Sequence, residues 1–447
     1  MDAPLRLNRR SALPSVITDV THLMRAASPA STASGLKATH QPHVVLVTTV
    51  RLPTTARLAL ELYKAGATVS VVAPSRHPVE ALRCLADLTG HSVWAPFRLL
   101  ERTLKRLRPD AVIPCDEQTV RDLQEVHRRS QDRGIRDLLE SSLGNPTNFP
   151  IITSRNLLLS VARDLDVRVP DSMALATEDA VQECLDVHQT PIVLKADGSW
   201  AGFGVRVVSN PALVHEAWSE MRRPPSFYMA LRALLMEGDA IYVRSWLRHE
   251  RPTLSAQSYV DGRPANIGVV CRRGEVLASI CAEAVATVST TGPSTVTRII
   301  QNQEMVEAAS RIVRALGLSG FIGFDFMIEN ATGHSYLIEM NPRVTPICTI
   351  PLGPGQDLPE AFTAALAGRP EHARPPRTTS DVIAYFPDTW ELDPANRFLH
   401  TVFHDVPWEE PALVRRLMQP ELRDRYWALR QLRRARQLFQ QRRGTDL

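Results

Sequence analysis

The sequence lacks most of the patterns that would assign a protein to a common class at once. Its six cysteines are widely spaced, with no Cys-x-x-Cys pair, which argues against a zinc site and fits a reducing, cytoplasmic setting. No apolar run approaches the length of a membrane span. The absence of Gly-x-Ser-x-Gly and His-Glu-x-x-His leaves a covalent or zinc hydrolase unsupported. The net charge of +4 requires neither a nucleic acid nor a membrane as partner.

Lysine is also scarce, which makes each one worth separate inspection. Only four of the 52 basic residues are lysines, and the rest are arginines. Lys195 ends an apolar run and is followed by the loop ADGSWAGFGV, which contains Gly202 and Gly204. Glycines let backbone amides approach a phosphate closely, and a nearby ammonium group neutralises it. This stretch therefore indicates a phosphate-binding loop, and the alternative is a β-hairpin whose glycines serve only the turn.

The order of the chain predicts several domains. Residues 1–40 are rich in Ser, Ala and Arg and are interpreted as a flexible leader. Residues 41–150 alternate strand, helix and strand, which predicts a Rossmann-like parallel sheet. The first turn of this sheet has no Gly-x-Gly-x-x-Gly, so a dinucleotide site is not expected there. A proline-containing loop marks the next boundary at residue 150, and a proline-rich linker precedes a C-terminal extension, 371–447, with an Arg-rich helix.

The residues that bear most directly on chemistry lie between positions 320 and 343. GFIGFDFMIE and SYLIEMNPR read as two strands joined by a polar turn. Alternation places Asp325 on one face of the first strand and puts Glu339 and Asn341, with Leu337, on one face of the second. Facing carboxylates repel each other, so a cation between them is the simplest explanation, and oxygen ligands favour Mg²⁺ or Mn²⁺. The alternative is an amphipathic hairpin whose acids face water.

Together these segments resemble the ATP-grasp superfamily, most closely its carbamoyl-phosphate-synthetase-like carboxylate–amine ligases. The resemblance covers residues 43–370 and rests on PIVLKADGSWAGFGV, SAQSYVDGRPAN with GEVLA, and GFDFMIE with YLIEMNPR. It implies an α/β and α+β fold, in which a Rossmann-like pre-ATP-grasp sheet precedes a two-lobed ATP-grasp domain at 151–370. A small helical extension completes the chain.

The resemblance also implies the roles of individual residues. Two Mg²⁺ ions would be held by Asp325, Glu339 and Asn341. Arg343 would hold the transferring phosphate or the substrate carboxylate, and Arg298 would assist at the phosphate. The ATP-binding residues implied by the resemblance are Arg155, Lys195, Gly202, Gly204, Gln257 and the backbone near Val260. Arg155 occupies a position that is often lysine in the superfamily, and arginine keeps the charge.

The implied activity is the ATP-dependent joining of a carboxylate to an amine through an acyl phosphate, with release of ADP and phosphate. The partners are then small molecules, while a membrane or nucleic-acid partner is not expected and homo-oligomerisation is left open. The alternative is a module that binds ATP and Mg²⁺ without ligase activity and serves as a sensor or scaffold. The sequence names neither substrate.

Overall fold

The fold is described from a computed structural model, which covers residues 40–419 except 93–94, 188–190, 197–203, 225, 233–242, 244–245, 248–250 and 290–291. The predicted leader, Gly202 and the Arg-rich helix predicted at 421–443 all lie outside these residues. Within the described part, no helix is both long enough and apolar enough to cross a bilayer.

The N-terminal part contains a four-stranded, fully parallel sheet in the order β3-β2-β1-β4. Its central strands are almost entirely buried, because each is a short run of valine and other apolar residues. The strands are β1 (His43–Val47), β2 (Thr68–Ala73), β3 (Asp87–Gly90) and β4 (Ala111–Pro114). The helices of this part are α1 (Pro53–Lys64), α2 (Pro96–Leu107), α3 (Glu117–Arg129) and α4 (Arg133–Leu143).

A second sheet has four antiparallel strands in the order β5-β8-β6-β7. One of its faces packs on helices through buried residues such as Leu194, Ala256, Val181 and Trp218. Its strands are β5 (Ser172–Ala174), β6 (Ile192–Ala196), β7 (Val205–Val208) and β8 (Leu254–Ser258). The helices before and between them are α5 (Phe149–Ile152), α6 (Arg155–Asp164), α7 (Glu178–Val187), α8 (Val214–Met221) and α9 (Phe227–Arg232).

The third sheet has seven strands in the order β13-β12-β9-β10-β11-β14-β15, and all neighbours are antiparallel except β14 and β15. Its strands are β9 (Gly262–Arg272), β10 (Glu275–Thr287), β11 (Ser294–Ile300), β12 (Gly320–Glu329), β13 (Ser335–Asn341), β14 (Val382–Tyr385) and β15 (Phe403–Asp405). The helices of this part are α10 (Gln303–Leu316), α11 (Leu358–Ala367), α12 (Asp388–Leu392), α13 (Phe398–Thr401) and α14 (Pro411–Leu417).

Local signals account for the helix that precedes the hairpin. The Asn302 side chain caps α10 by accepting a hydrogen bond from the Met305 amide at 3.0 Å. Gly317 ends the helix with a φ of 61°, the left-handed conformation that glycine adopts without a Cβ penalty. These two signals set the bounds of the helix at Gln303 and Leu316.

Two sequence-based expectations about the third sheet need correction. A register shift between Asp325 and Phe326 means that Leu337 pairs with Phe326, whereas Glu339 pairs with Asp325. Leu337 therefore lies with Phe326 in the core and not on the face of Glu339, because the bulge at Ile338 reverses the alternation. The sheet also continues past the predicted boundary at residue 370, since β14 and β15 belong to it.

Candidate active site

The acids predicted to hold metal lie side by side at one edge of the seven-stranded sheet. Asp325 on β12 is directly opposite Glu339 on β13, and Asn341 lies two pairs further along, opposite Gly323. The Asn341 side-chain nitrogen donates to Asp325 Oδ2 at 2.9 Å. The structure thus brings together the three residues that the sequence singled out, and their role as metal ligands stays a prediction.

A third strand adds an amide that the sequence did not reveal. Asn266 on β9 pairs with Asp325 from the side opposite to Glu339, so the three residues form one row across β9, β12 and β13. The Oδ1 atom of Asn266 is buried and has no hydrogen-bond partner among the described residues. Leaving a buried polar atom without a hydrogen-bond partner costs folding free energy. The Oδ1 atom of Asn266 therefore indicates a binding site rather than a contribution to stability.

Positive charges surround this row. Arg155 is the first residue of α6, and its Nη2 atom lies 2.6 Å from Glu339 Oε2. Lys195 on β6 is only 4% exposed, and the charges acting on it are those of Glu339, Arg155 and Asp325. Burial is the main reason that the pKa of Lys195 falls to about 7, and the nearby carboxylates oppose this shift. Lys195 and the hairpin acids therefore share one site.

The pKa values of the two carboxyl groups shift in opposite directions, although the groups lie side by side. Burial, and then the charge of Glu339, raise the pKa of Asp325 to about 7. Burial alone would also raise the pKa of Glu339, but the charges of Arg155, Lys195 and Arg343 together lower it. A divalent cation between the two carboxylates would relieve their mutual repulsion and compensate their buried charge.

The donor set fits a hard cation. Two carboxylates and the amide oxygens of Asn266 and Asn341 lie at this edge, and such oxygens are the ligands that Mg²⁺ and Mn²⁺ favour. Across the part of the chain that the structure describes, no group of three or more His, Cys, Asp or Glu side chains is placed to hold a metal. The protein would therefore hold a metal with two acids, leaving positions for oxygens from a bound molecule.

The four-stranded sheet contributes a second set of unpaired polar groups. Ser255 pairs with Lys195 and Gln257 pairs with Val193, so both lie on the face of Lys195, opposite the helix-covered core. Ser255 is fully buried and Gln257 is 2% exposed, yet Ser255 Oγ and Gln257 Nε2 have no hydrogen-bond partner among the described residues. This face has the polar groups that a ligand between the two sheets would need. Ser255 was missed from the sequence, although the alternation of β8 starting from Gln257 could have found it.

The remaining predicted ATP-binding residues lie in connections. Val260 is half-buried in the turn between β8 and β9, which links the four-stranded sheet to the seven-stranded one. Gly204 is buried immediately before β7, and its carbonyl accepts a hydrogen bond from the Ala196 amide at 2.8 Å. Both positions border the region between the sheets, while their contacts with a nucleotide remain predictions.

The structure separates the two arginines that the sequence grouped together. Arg343 lies just beyond β13, and its Nη2 atom donates to Asn341 Oδ1 at 3.3 Å. Arg298 on β11 belongs instead to a cross-strand row with Glu283 and Ala265. That row continues through Phe326 to Leu337, on the face of the sheet away from Asp325. It pairs with Glu283 at 3.0 Å and with Asp381 at 3.8 Å, and it is 47% exposed. The structure therefore gives no support to Arg298 at the phosphate.

Asp116, at the carboxyl end of β4, has a structural role. Its carboxylate caps α3 through the Thr119 amide at 2.9 Å, and it also accepts the Thr49 amide at 2.7 Å. These contacts make Asp116 the N-cap of α3.

Comparison with known proteins gives a family-model match to part of the chain. The family model described as an ATP-grasp domain matches residues 237–346. A comparison with curated proteins finds no match.

Similar solved structures share the fold at low sequence identity. The biotin carboxylase domain dimer of 2-oxoglutarate carboxylase from Hydrogenobacter thermophilus, in complex with MgADP, ADP and bicarbonate, is 13% identical, with 75% of this chain and 72% of that chain covered and a TM-score of 0.54. N5-carboxyaminoimidazole synthetase from Staphylococcus aureus, complexed with ADP, is 12% identical and has a TM-score of 0.53. The match covers 75% of this chain and 81% of that chain. An L-amino acid ligase from Bacillus licheniformis is 14% identical, with 73% and 74% covered and a TM-score of 0.50.

These findings confirm the predicted fold class and the resemblance on which it rested. At such identities the similar structures establish the fold alone, and the match to the ATP-grasp domain model covers residues 237–346. The chain shares its fold with these enzymes over about three quarters of its length.

Proposed function

We propose that this protein is an ATP-dependent ligase that joins a carboxylate to an amine or a similar nucleophile and releases ADP and phosphate. One observation carries the proposal: Asp325 and Glu339 face each other within the electrostatic reach of the buried Lys195. Such an arrangement of two acids, a lysine and flanking arginines suits a polyphosphate that binds with a divalent cation.

The chemistry requires two anions to approach, because the substrate carboxylate attacks the γ-phosphate of ATP. Lys195 and Arg155 neutralise the phosphates, and Arg343 binds the transferring phosphate or the attacking carboxylate. Asp325, Glu339 and Asn341 would hold Mg²⁺ or Mn²⁺, which neutralises charge on the phosphate oxygens when bound. The amine then attacks the acyl phosphate, forming the new carbon–nitrogen bond and releasing phosphate.

The nucleotide base is assigned to the region between the two sheets. Gln257 and the backbone near Val260 border the connection from β8 to β9, and the unpaired Nε2 of Gln257 is available to an acceptor on the base. Ser255, beside Lys195, joins this set as a further polar group. The neighbouring solved structures in complex with ADP support the choice of nucleotide.

A screen for ADP release tests the ligase function directly. The purified protein is incubated with ATP and Mg²⁺, and pairs of carboxylates with amino acids or polyamines are added in turn. We expect ADP release that requires both members of one pair, with phosphate formed in equal amount. Nucleotide binding without any such release would instead favour a module that binds ATP and Mg²⁺ as a sensor or scaffold.

Replacing Lys195 by Met should weaken nucleotide binding. Methionine keeps the length and the apolar stem but removes the charge-assisted hydrogen bond, which contributes about 1.5–3 kcal/mol, or roughly tenfold or more in affinity. The measurement is the thermal shift induced by ADP and Mg²⁺, which should shrink strongly.

Lys105→Met is the matched control, because Lys105 lies on α2 and pairs with Glu101 at the surface. Its ligand-induced shift should match that of the wild type. If Lys195→Met also keeps the full shift, Lys195 does not contact the phosphates.

A further inference from the structure

A contact between α3 and Arg343 joins the N-terminal sheet to the candidate active site. Glu117 is the first residue of α3, and its Oε1 atom accepts a hydrogen bond from Arg343 Nε at 2.9 Å. The two residues are 226 positions apart in the chain. Glu117 also lines a cavity of about 70 Å³ whose walls include Arg155, Glu339 and Asn341. An acid from the helix that follows β4 thus borders the site built by the other two sheets.

Within the part of the chain that the structure describes, three acceptors hold the guanidinium of Arg343. Besides Glu117, Nη1 donates to the Val344 carbonyl at 3.2 Å and Nη2 donates to Asn341 Oδ1 at 3.3 Å. A guanidinium has five N–H groups in a rigid plane, so two remain for an anion. Their direction is set by the three bonds already made.

Glu117 is the strongest of these three restraints. It is the only charged acceptor among them and makes the shortest of the three bonds. Burial by itself would lower the pKa of Arg343, but the charge of Glu117 and then those of Asp325 and Asp116 raise it. The residues directly after Arg343, Val344 to Cys348, include no acid that could replace Glu117.

The position of Glu117 is itself fixed. The neighbouring Asp116 caps α3 and binds the amide and hydroxyl of Thr49 and the hydroxyl of Thr48, at the end of β1. Both strand ends lie at the carboxyl edge of the parallel sheet, where ligands of α/β proteins commonly bind. A residue that positions another side chain must itself be held in place, and the contacts of Asp116 hold the start of α3.

We propose that Glu117 is a positioning residue for Arg343, aiming its two unused N–H groups at an anion in the active site. That anion is either the γ-phosphate of ATP or the substrate carboxylate, which share the same recognition chemistry. The proposal makes the N-terminal sheet a functional part of the site. It rests on the proposed function, because the anion it serves is the one in that reaction.

The experiment compares Glu117→Ala and Glu117→Gln in the full-length protein. Gln keeps an acceptor for Arg343 Nε but removes the charge, whereas Ala removes both. The matched control is Glu125→Ala, which removes another acid of the same helix that pairs only with the exposed Arg128 and Arg129. Thermal shifts are recorded with MgADP and with a β,γ-imido ATP analogue, and ADP release is recorded against carboxylate concentration.

A phosphate-directed Arg343 predicts that the extra shift of the imido analogue over MgADP is lost in Glu117→Ala, with the MgADP shift unchanged. A carboxylate-directed Arg343 predicts an unchanged analogue shift and a KM for the carboxylate raised about 10²-fold, as small misplacements of a binding group cause. In either case Glu117→Gln should fall between Ala and wild type, and Glu125→Ala should match wild type.

Two results would overturn the inference, and they differ from a failure of the ligase function. If Glu117→Ala keeps both the analogue shift and the carboxylate KM while the wild type is active, Glu117 does not position Arg343. If the wild type binds the nucleotides but releases no ADP with any pair, the ligase proposal fails, and an unchanged analogue shift in Glu117→Ala then rejects the positioning role too. A wild type that binds no nucleotide rejects both.

Discussion

Glu339→Gln should abolish ATP turnover while the protein stays folded. Glutamine has nearly the same shape as glutamate, but it removes a negative charge that faces Asp325 and pairs with Arg155 at 2.6 Å. Losing one charge that would hold the metal should cost several kcal/mol of transition-state stabilisation, so we expect a decrease of at least about 10³-fold in kcat. The measurement is ADP release under the conditions that the substrate screen identifies.

The matched control lies on the same hairpin. Glu329 ends β12 far from the acids, and its side chain accepts a hydrogen bond from Thr332 in the connecting turn. Glu329→Gln should leave turnover near that of the wild type. Near-normal turnover in Glu339→Gln, with the control also active, would contradict the role of this hairpin in holding a metal with ATP.

The parts of the site that the sequence revealed are those governed by short-range patterns. Two strands joined by a polar turn predict that Asp325 and Glu339 lie close together. The register set by the turn would put Ile338 opposite Asp325, and the bulge at Ile338 moves Glu339 into that place. Lys195 was identified because it ends an apolar strand in a chain with few lysines. In each case the relevant partners lie within one hairpin or one strand.

The parts that the sequence did not reveal depend on register between distant segments. The resemblance implied a role for Arg298 at the phosphate, but only its pairing with Glu283 shows which face of the sheet it occupies. The bulge at Ile338 likewise changes the face of Leu337 without any glycine to mark it. The hydrogen bond between Glu117 and Arg343 joins α3 to the residues after β13, and no local pattern in either segment predicts the contact.

Asp405→Ala should be the most destabilising single change outside the active site. Asp405 lies on β15, and its carboxylate forms ion pairs with Arg57 of α1 at 2.5 Å and with Arg377 at 3.0 Å. Arg57 and Asp405 have side chains only 4% and 5% exposed. Removing one partner leaves a buried arginine charge uncompensated, which costs about 3–5 kcal/mol of the free energy of unfolding.

The reason for so large an effect is that the C-terminal segment completes the fold. Arg374, inside the predicted proline-rich linker, pairs with Asp357, and Arg377, directly after it, pairs with the buried Glu61 of α1. Strands β14 and β15 extend the seven-stranded sheet, so this segment bonds both to that sheet and to the N-terminal part. Equilibrium urea unfolding measures the change in the free energy of unfolding. The control is Asp381→Ala, because the Asp381 side chain is 71% exposed and its ion pair with Arg298 is long, at 3.8 Å. The control should shift the free energy of unfolding by no more than about 0.5 kcal/mol. An equally small effect of Asp405→Ala would show that the segment beyond residue 370 adds little to stability.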